Sequence, residues 1–271
     1  MNTLTKLTNS NVQAVVDSIR FDEPVIDPTY GNVSIRMYIN SPDGEKRPIV
    51  FESPYMKAPF GLSKFEVAGK TVPKFKLPLS FDKLDSCKRQ AVFKEFTELL
   101  DNKIIKECHA NAGVWLKKEG QPLAVIQAFY SPLLTYSKDK KGKITDIYPP
   151  KVQLKLGTYN NDDGTYRFAA PVFKNKNTPT DPPDASITKG IQAKSIIEIT
   201  GIWEVSGKFG CSWRSNVIKV KEQAKRSAYQ FEDDSDGEDA NEDANEDANE
   251  SKEDVVNWAD EDEDEDAVAQ Y

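Results

Sequence analysis

The first thirty residues are polar with scattered apolar positions, and Pro24 and Pro28 break up their second half. Regular alternation begins at Val33. Val33, Ile35, Met37 and Ile39 fall on one face of an extended segment, with Ser34, Arg36 and Tyr38 on the other, which is the period of a half-buried strand. Ser41-Pro42-Asp43-Gly44 is a turn sequence, and residues 48–52 are expected to return as the second strand of a hairpin. The stretch beyond holds Pro54, Pro59, Gly61, Gly69, Pro73 and Pro78. It is expected to be loop or edge strand, since proline cannot donate to a central ladder.

The period changes once. Leu84, Cys87, Val92, Phe96, Leu99, Leu100 and Ile104 recur at three and four residues, predicting one substantial helix over residues 82–107 with Ser80 or Asp82 as its N-cap. Gly113 and its Asn-rich surroundings are expected to end it. The remainder reads as β-rich, with strands expected at residues 123–134, 151–156, 166–173, 195–205 and 208–221. Val152, Leu154 and Leu156 alternate with Lys151, Gln153 and Lys155, and Ser206-Gly207 joins the last two strands as a tight hairpin. From residue 232 the pattern fails. The EDAN repeats have no apolar face to bury and cannot offset the entropy of ordering, so residues 232–271 are expected to be a disordered tail.

Charge sharpens that boundary. Residues 232–271 hold 20 of the 44 acidic residues and one of the 36 basic ones, Lys252, a net −19 that leaves +11 on residues 1–231. The net charge of −8 for the whole chain conceals this opposition. Two domains follow: a basic β-rich domain at 1–231, long enough for a sizeable core, and an acidic tail at 232–271. No apolar run reaches the roughly 20 residues of a membrane span, and the N-terminal segment lacks the apolar core of a secretory signal. The chain reads as intracellular, with no membrane association expected.

Several chemistries find no support. Cys87, Cys108 and Cys211 are too few and too scattered for a disulfide framework or a zinc site, and are expected to act as small hydrophobes. His109 is the one histidine, which leaves no histidine cluster for a metal. Ala68-Gly69-Lys70-Thr71 resembles the end of a phosphate-binding loop, but Lys64 stands where the first glycine belongs. No cofactor and no catalytic constellation are expected, and an enzyme is disfavoured.

What the domain does carry is lysine and arginine interleaved with aromatic residues. Lys74-Phe75-Lys76 is one such cluster. The candidate phosphate contacts are Lys138, Lys140, Lys141, Lys143, Lys151, Lys155, Arg167, Lys174, Lys208, Arg214 and Lys219; the candidate stacking residues are Tyr130, Tyr136, Tyr159, Tyr166 and Trp213. Single strands are held in this way, by cations along the phosphates and rings under the bases. Aromatic residues in β-rich domains are more often core, and the phase of Trp213 with Phe209 and Cys211 already points inward. In the tail, Val255, Val256 and Trp258 form a short apolar element, and an uninterrupted acidic run containing Asp262, Asp264 and Asp266 precedes the final Tyr271. Trp258, Asp262, Asp264, Asp266 and Tyr271 are the candidate partner-binding residues.

One family resemblance is carried by Ile191, Ala193, Ile197, Ile199, Trp203, Phe209, Gly210, Ser212, Trp213 and Val220. In this pattern residues 120–222 resemble the single-stranded DNA-binding proteins of large nucleocytoplasmic DNA viruses. The resemblance implies an OB-like β-barrel and non-catalytic binding of single-stranded DNA in viral replication, recombination or repair. The layout is also similar to that of phage and bacterial single-strand binders, whose acidic tails recruit replication proteins. The expected fold is therefore α+β and mostly β, an OB-like barrel with one substantial helix. A homo-oligomer, a chaperone-like protein-interaction module and a virion structural protein stay open as alternatives.

Overall fold

The structure, a computed structural model, describes residues 4–66, 73–161, 163, 165–174, 179–180 and 183–221. The whole 232–271 tail, with Trp258, Asp262, Asp264, Asp266 and Tyr271, lies outside the described residues, as does the 68–71 loop.

The fold is mostly β and is organised by a long hairpin, named here with the strands it gathers. These are β1 (Val33–Asn40), β2 (Ile49–Glu52), β3 (Met56–Lys57), β4 (Ser63–Phe65), β5 (Lys74–Ser80), helix α1 (Lys88–Ala110), β6 (Lys151–Leu156), β7 (Thr158–Asn160), β8 (Tyr166–Phe168), β9 (Gln192–Val205) and β10 (Lys208–Lys221). β9 and β10 pair from Gln192 opposite Lys221 to Val205 opposite Lys208. Their turn has Ser206 at φ 49 and Gly207 at φ 86, the doubly left-handed geometry that matches the twist of a two-residue hairpin. Two register shifts, at Ile196/Ile197 and Ile199/Gly201, add the local twist that lets 14-residue strands curve.

Along its free edge β9 takes up β1, β2 and β3 in succession. β3 meets β5 at Lys57 and Ser80, β5 pairs with β6 along its length, and β6 meets β10 at Lys155 and Arg214. The order β9-β3-β5-β6-β10 thus returns to β9, an OB-like circuit of five strands in which two of the junctions are single residue pairs. Inward positions of β6 alternate as the sequence predicts, with Val152, Leu154 and Leu156 buried, and Phe75, Leu77 and Leu79 of β5 are buried against the same core. From α1, Phe93 and Phe96 reach the same core, packing on Phe51, Phe81 and Trp213 with ring centroids 5.0–6.4 Å apart.

Local expectations are corrected at four places. The helix begins at Lys88, not near Asp82, and neither Ser80 nor Asp82 caps it. Ser80 is in β5, while Asp82 and the Lys83 N–H are bonded to the Gln90 side chain. Residues 49–52 do not return beside β1: only Lys46–Arg47 does, because Pro48 cannot donate to that ladder, and β2 crosses to β9 instead. Leu123–Ala128 is helical, since a short apolar run fits either period. The proline-rich stretch supplies β5, an interior strand. β4 pairs with Lys74–Lys76 and β3 with Ser80, so Pro78 falls between two partners.

Among the described residues no helix is long and apolar enough to cross a membrane.

Candidate nucleic-acid interface

The barrel's alternation fixes one face chemically. β4, β5, β6 and β10 are successive hydrogen-bonded neighbours, and the β7–β8 hairpin follows β6 and packs on β5 through Phe75 with Tyr166 (5.4 Å) and Phe168 (4.6 Å). These six strands contain Lys64, Lys74, Lys76, Lys151, Lys155, Arg167, Lys208, Arg214, Lys219 and Lys221, and no Asp or Glu. Carboxylates reach these cations from adjoining segments, Glu66 lying 3.7 Å from Lys64, whereas the helix is mixed in charge along its own length. α1 carries Glu95, Glu98, Asp101 and Glu107, and two of its lysines are paired within the helix, Lys94 to Glu98 at 2.6 Å and Lys103 to Glu107 at 3.8 Å.

Register brings three of the cations into one row, with Lys155 opposite Lys76 on one side and Arg214 on the other. Adjacent strands are about 4.8 Å apart, and like charges at that spacing repel. Part of the repulsion is relieved at one end, where Arg214 donates to both Glu198 oxygens at 3.1 Å and Asn216 holds Glu198 at 2.8 Å. Rings stand beside cations at three points: Lys151 Nζ lies 5.0 Å from the Phe60 ring, Lys76 Nζ 5.1 Å from Phe65, and the Arg167 guanidinium 5.5 Å from Tyr159. Burial at this face lowers the Lys151 pKa from its ordinary value.

The lysine loop is a protruding finger. Ser137–Lys138 pairs with Ile144–Thr145, and the Asp139 carboxylate accepts the Lys141 and Lys143 backbone N–H groups at 2.9 and 2.8 Å. Lys138, Lys140, Lys141 and Lys143 are all exposed, as are Ile144, Ile147 and Tyr148. The preceding segment pairs with β6, Thr135 lying opposite Lys151, so the finger springs from the edge of the basic face.

The other candidates fall as follows. Lys219 is half-buried, opposite Phe173 and Lys194, with Lys174 exposed beyond Phe173. Lys208 sits at the hairpin tip, roughly 20 Å along β10 from Arg214 at about 3.3 Å per residue, and is outside the row. Two aromatic candidates are core residues. Tyr130 is buried against Phe209 and donates to Asp101 at 2.5 Å; Trp213 is buried and its Nε1–H donates to the Gln153 carbonyl at 2.9 Å. Their strands turn these rings toward α1, so neither offers a face for stacking. Tyr136 is half-buried with its hydroxyl on Glu98 at 3.2 Å, Tyr166 is half-buried, and Tyr159 is exposed. Phe60 and Phe65 were not among the sequence candidates. The signal available for Phe60 was its place in the turn sequence Pro59-Phe60-Gly61, since connecting segments run over the surface.

Among the described residues no group of three or more His, Cys, Asp or Glu is placed to hold a metal ion.

No protein-family model matches the chain, and no curated protein matches it in sequence. Among solved structures it is similar to gp2.5, a single-stranded DNA-binding protein encoded by bacteriophage T7. That match has 14% identity and a TM-score of 0.31, and covers 71% of this chain and 100% of the other.

Proposed function

We propose that this protein binds single-stranded DNA without catalysis, through the basic face of β4–β8 and β10 and the adjoining lysine finger. The observation that supports the reading is the row of Lys76, Lys155 and Arg214 across neighbouring strands whose own residues include no Asp or Glu, set with rings beside Lys76, Lys151 and Arg167. Phosphates neutralise the row at Lys76, Lys155 and Arg214, and unpaired bases meet the rings. The β-face offers no recognition helix, which favours sequence-tolerant binding of single strands over reading of a duplex groove. The setting we infer is viral DNA replication, recombination or repair, supported by the hairpin pattern of residues 190–222. The −19 tail acts as a tethered polyanion that competes with DNA and, once displaced, recruits replication proteins through Trp258, the 260–266 acids and Tyr271.

The test is a titration of the full-length protein with oligo-dT across a salt series. Binding is expected to weaken with a log-log slope of about −0.7 per phosphate neutralised. Lys76→Glu and Lys155→Glu should each weaken binding and flatten that slope, whereas Lys106→Glu on α1 should change neither. Absence of binding, or equal effects at all three positions, would overturn the proposal. Removal of residues 232–271 should tighten binding; unchanged affinity would refute the tail's role.

A further inference from the structure

A single exposed apolar side chain is ordinary on a protein surface, but Phe60 is held outward by its own backbone. It is 59% exposed, while Ala58 two residues before is fully buried and Leu62 two residues after packs on the core. The turn is stapled from both sides. Ala58 N–H donates to the Ile191 carbonyl at 2.8 Å, its own carbonyl accepts the Gly190 N–H at 2.7 Å, and Leu62 N–H donates to the Ile187 carbonyl at 3.2 Å. Gly61 has φ +70, and a Cβ there would lie 2.9 Å from the backbone of Ile187 and Lys189, so the chain presses against its neighbour just past the ring. Pro59 fixes the residue before. The stapled backbone directs the Phe60 Cα–Cβ bond outward, and the Lys151 ammonium stands 5.0 Å from the ring centroid.

We infer that Phe60 is a preorganised base-stacking platform for single-stranded DNA, with Lys151 as its cationic neighbour. The inference rests on the proposed function and assigns the ring under one unpaired base. A ring carried on a main chain that is already fixed costs no backbone ordering on stacking, so more of the contact appears as affinity.

The experiment compares wild type, Phe60→Ala and Phe60→Trp, all full length, on oligo-dT and on an abasic oligonucleotide of equal phosphate number. Phe60→Ala should weaken oligo-dT binding roughly 5- to 150-fold, the range for one stacked base. The salt slope should stay the same, and the loss should vanish on the abasic strand. Phe60→Trp should restore affinity and add a DNA-quenched fluorescence that wild type lacks. Wild-type binding to oligo-dT with Phe60→Ala unchanged, or a loss equal on both oligonucleotides, would overturn the stacking assignment alone. Failure of wild type to bind oligo-dT would overturn the proposed function together with it.

Discussion

Asp101 is the one strongly displaced carboxyl among the described residues, and replacing it with asparagine should abolish a specific pH dependence of stability. The side chain is 9% exposed on α1. It accepts the Tyr130 hydroxyl at 2.5 Å and the Leu133 N–H at 3.1 Å, with Glu98 one turn away and the Cys211 thiol also facing the site. Burial is the dominant cause that raises its pKa from 3.8 to about 7, outweighing the hydrogen bonds that pull it down. A carboxyl raised in the folded state holds its proton more tightly there than in the unfolded chain. Its contribution is therefore fully present below pH 3.8 and is lost as pH rises through about 7. At about 1.36 kcal/mol per pH unit the displacement amounts to roughly 4 kcal/mol. The amide of the Asp101→Asn variant is neutral throughout and can still accept the Tyr130 proton. Urea unfolding of wild type and Asp101→Asn, followed by tryptophan fluorescence from about pH 4 to about 8, isolates the effect because the two proteins differ at this side chain alone. Wild-type stability should fall relative to the variant by roughly 4 kcal/mol across that range. Parallel curves would show that Asp101 titrates normally and that its carboxyl is solvated in the folded protein.

Two further predictions probe the barrel. Gly201→Ala should destabilise by roughly 1–3 kcal/mol or more, because a Cβ there would lie 2.2 Å from the Ile35 carbonyl oxygen; an unchanged melting temperature would contradict the register between β1 and β9. Trp213→Phe removes the donor to Gln153 and should cost roughly 2 kcal/mol of stability while leaving oligo-dT affinity intact, as measured by urea unfolding and anisotropy. Lost affinity at full stability would return Trp213 to the binding surface.

How much of this was legible in the sequence depended on the range of the interaction involved. Strands β1, β6 and the β9–β10 hairpin follow from alternation and a two-residue turn, both local signals. Barrel closure depends on pairings such as Lys57 with Ser80 and Lys155 with Arg214, which no local pattern encodes. The same limit applies to the site. Lys151 and Lys155 face outward on the strand period alone, but whether a tyrosine packs or projects is decided by what the fold brings against it. Asp101 claims Tyr130 from 29 residues away, whereas Tyr159 stays exposed, with the Arg167 guanidinium beside its ring. Phe60 was hidden by the same limit: its projection comes from backbone bonds to residues 187–191, far along the chain.

On the proposed function, one face of the barrel, and not the helix side, receives the DNA. Lysine acetylation footprinting with mass-spectrometric readout tests it directly, comparing the full-length protein alone and saturated with oligo-dT. Lys74, Lys76, Lys151 and Lys155 should be protected by the oligonucleotide, while Lys88 and Lys106 on α1 keep their reactivity. Protection confined to α1, or spread evenly over both faces, would exclude the basic face as the DNA site.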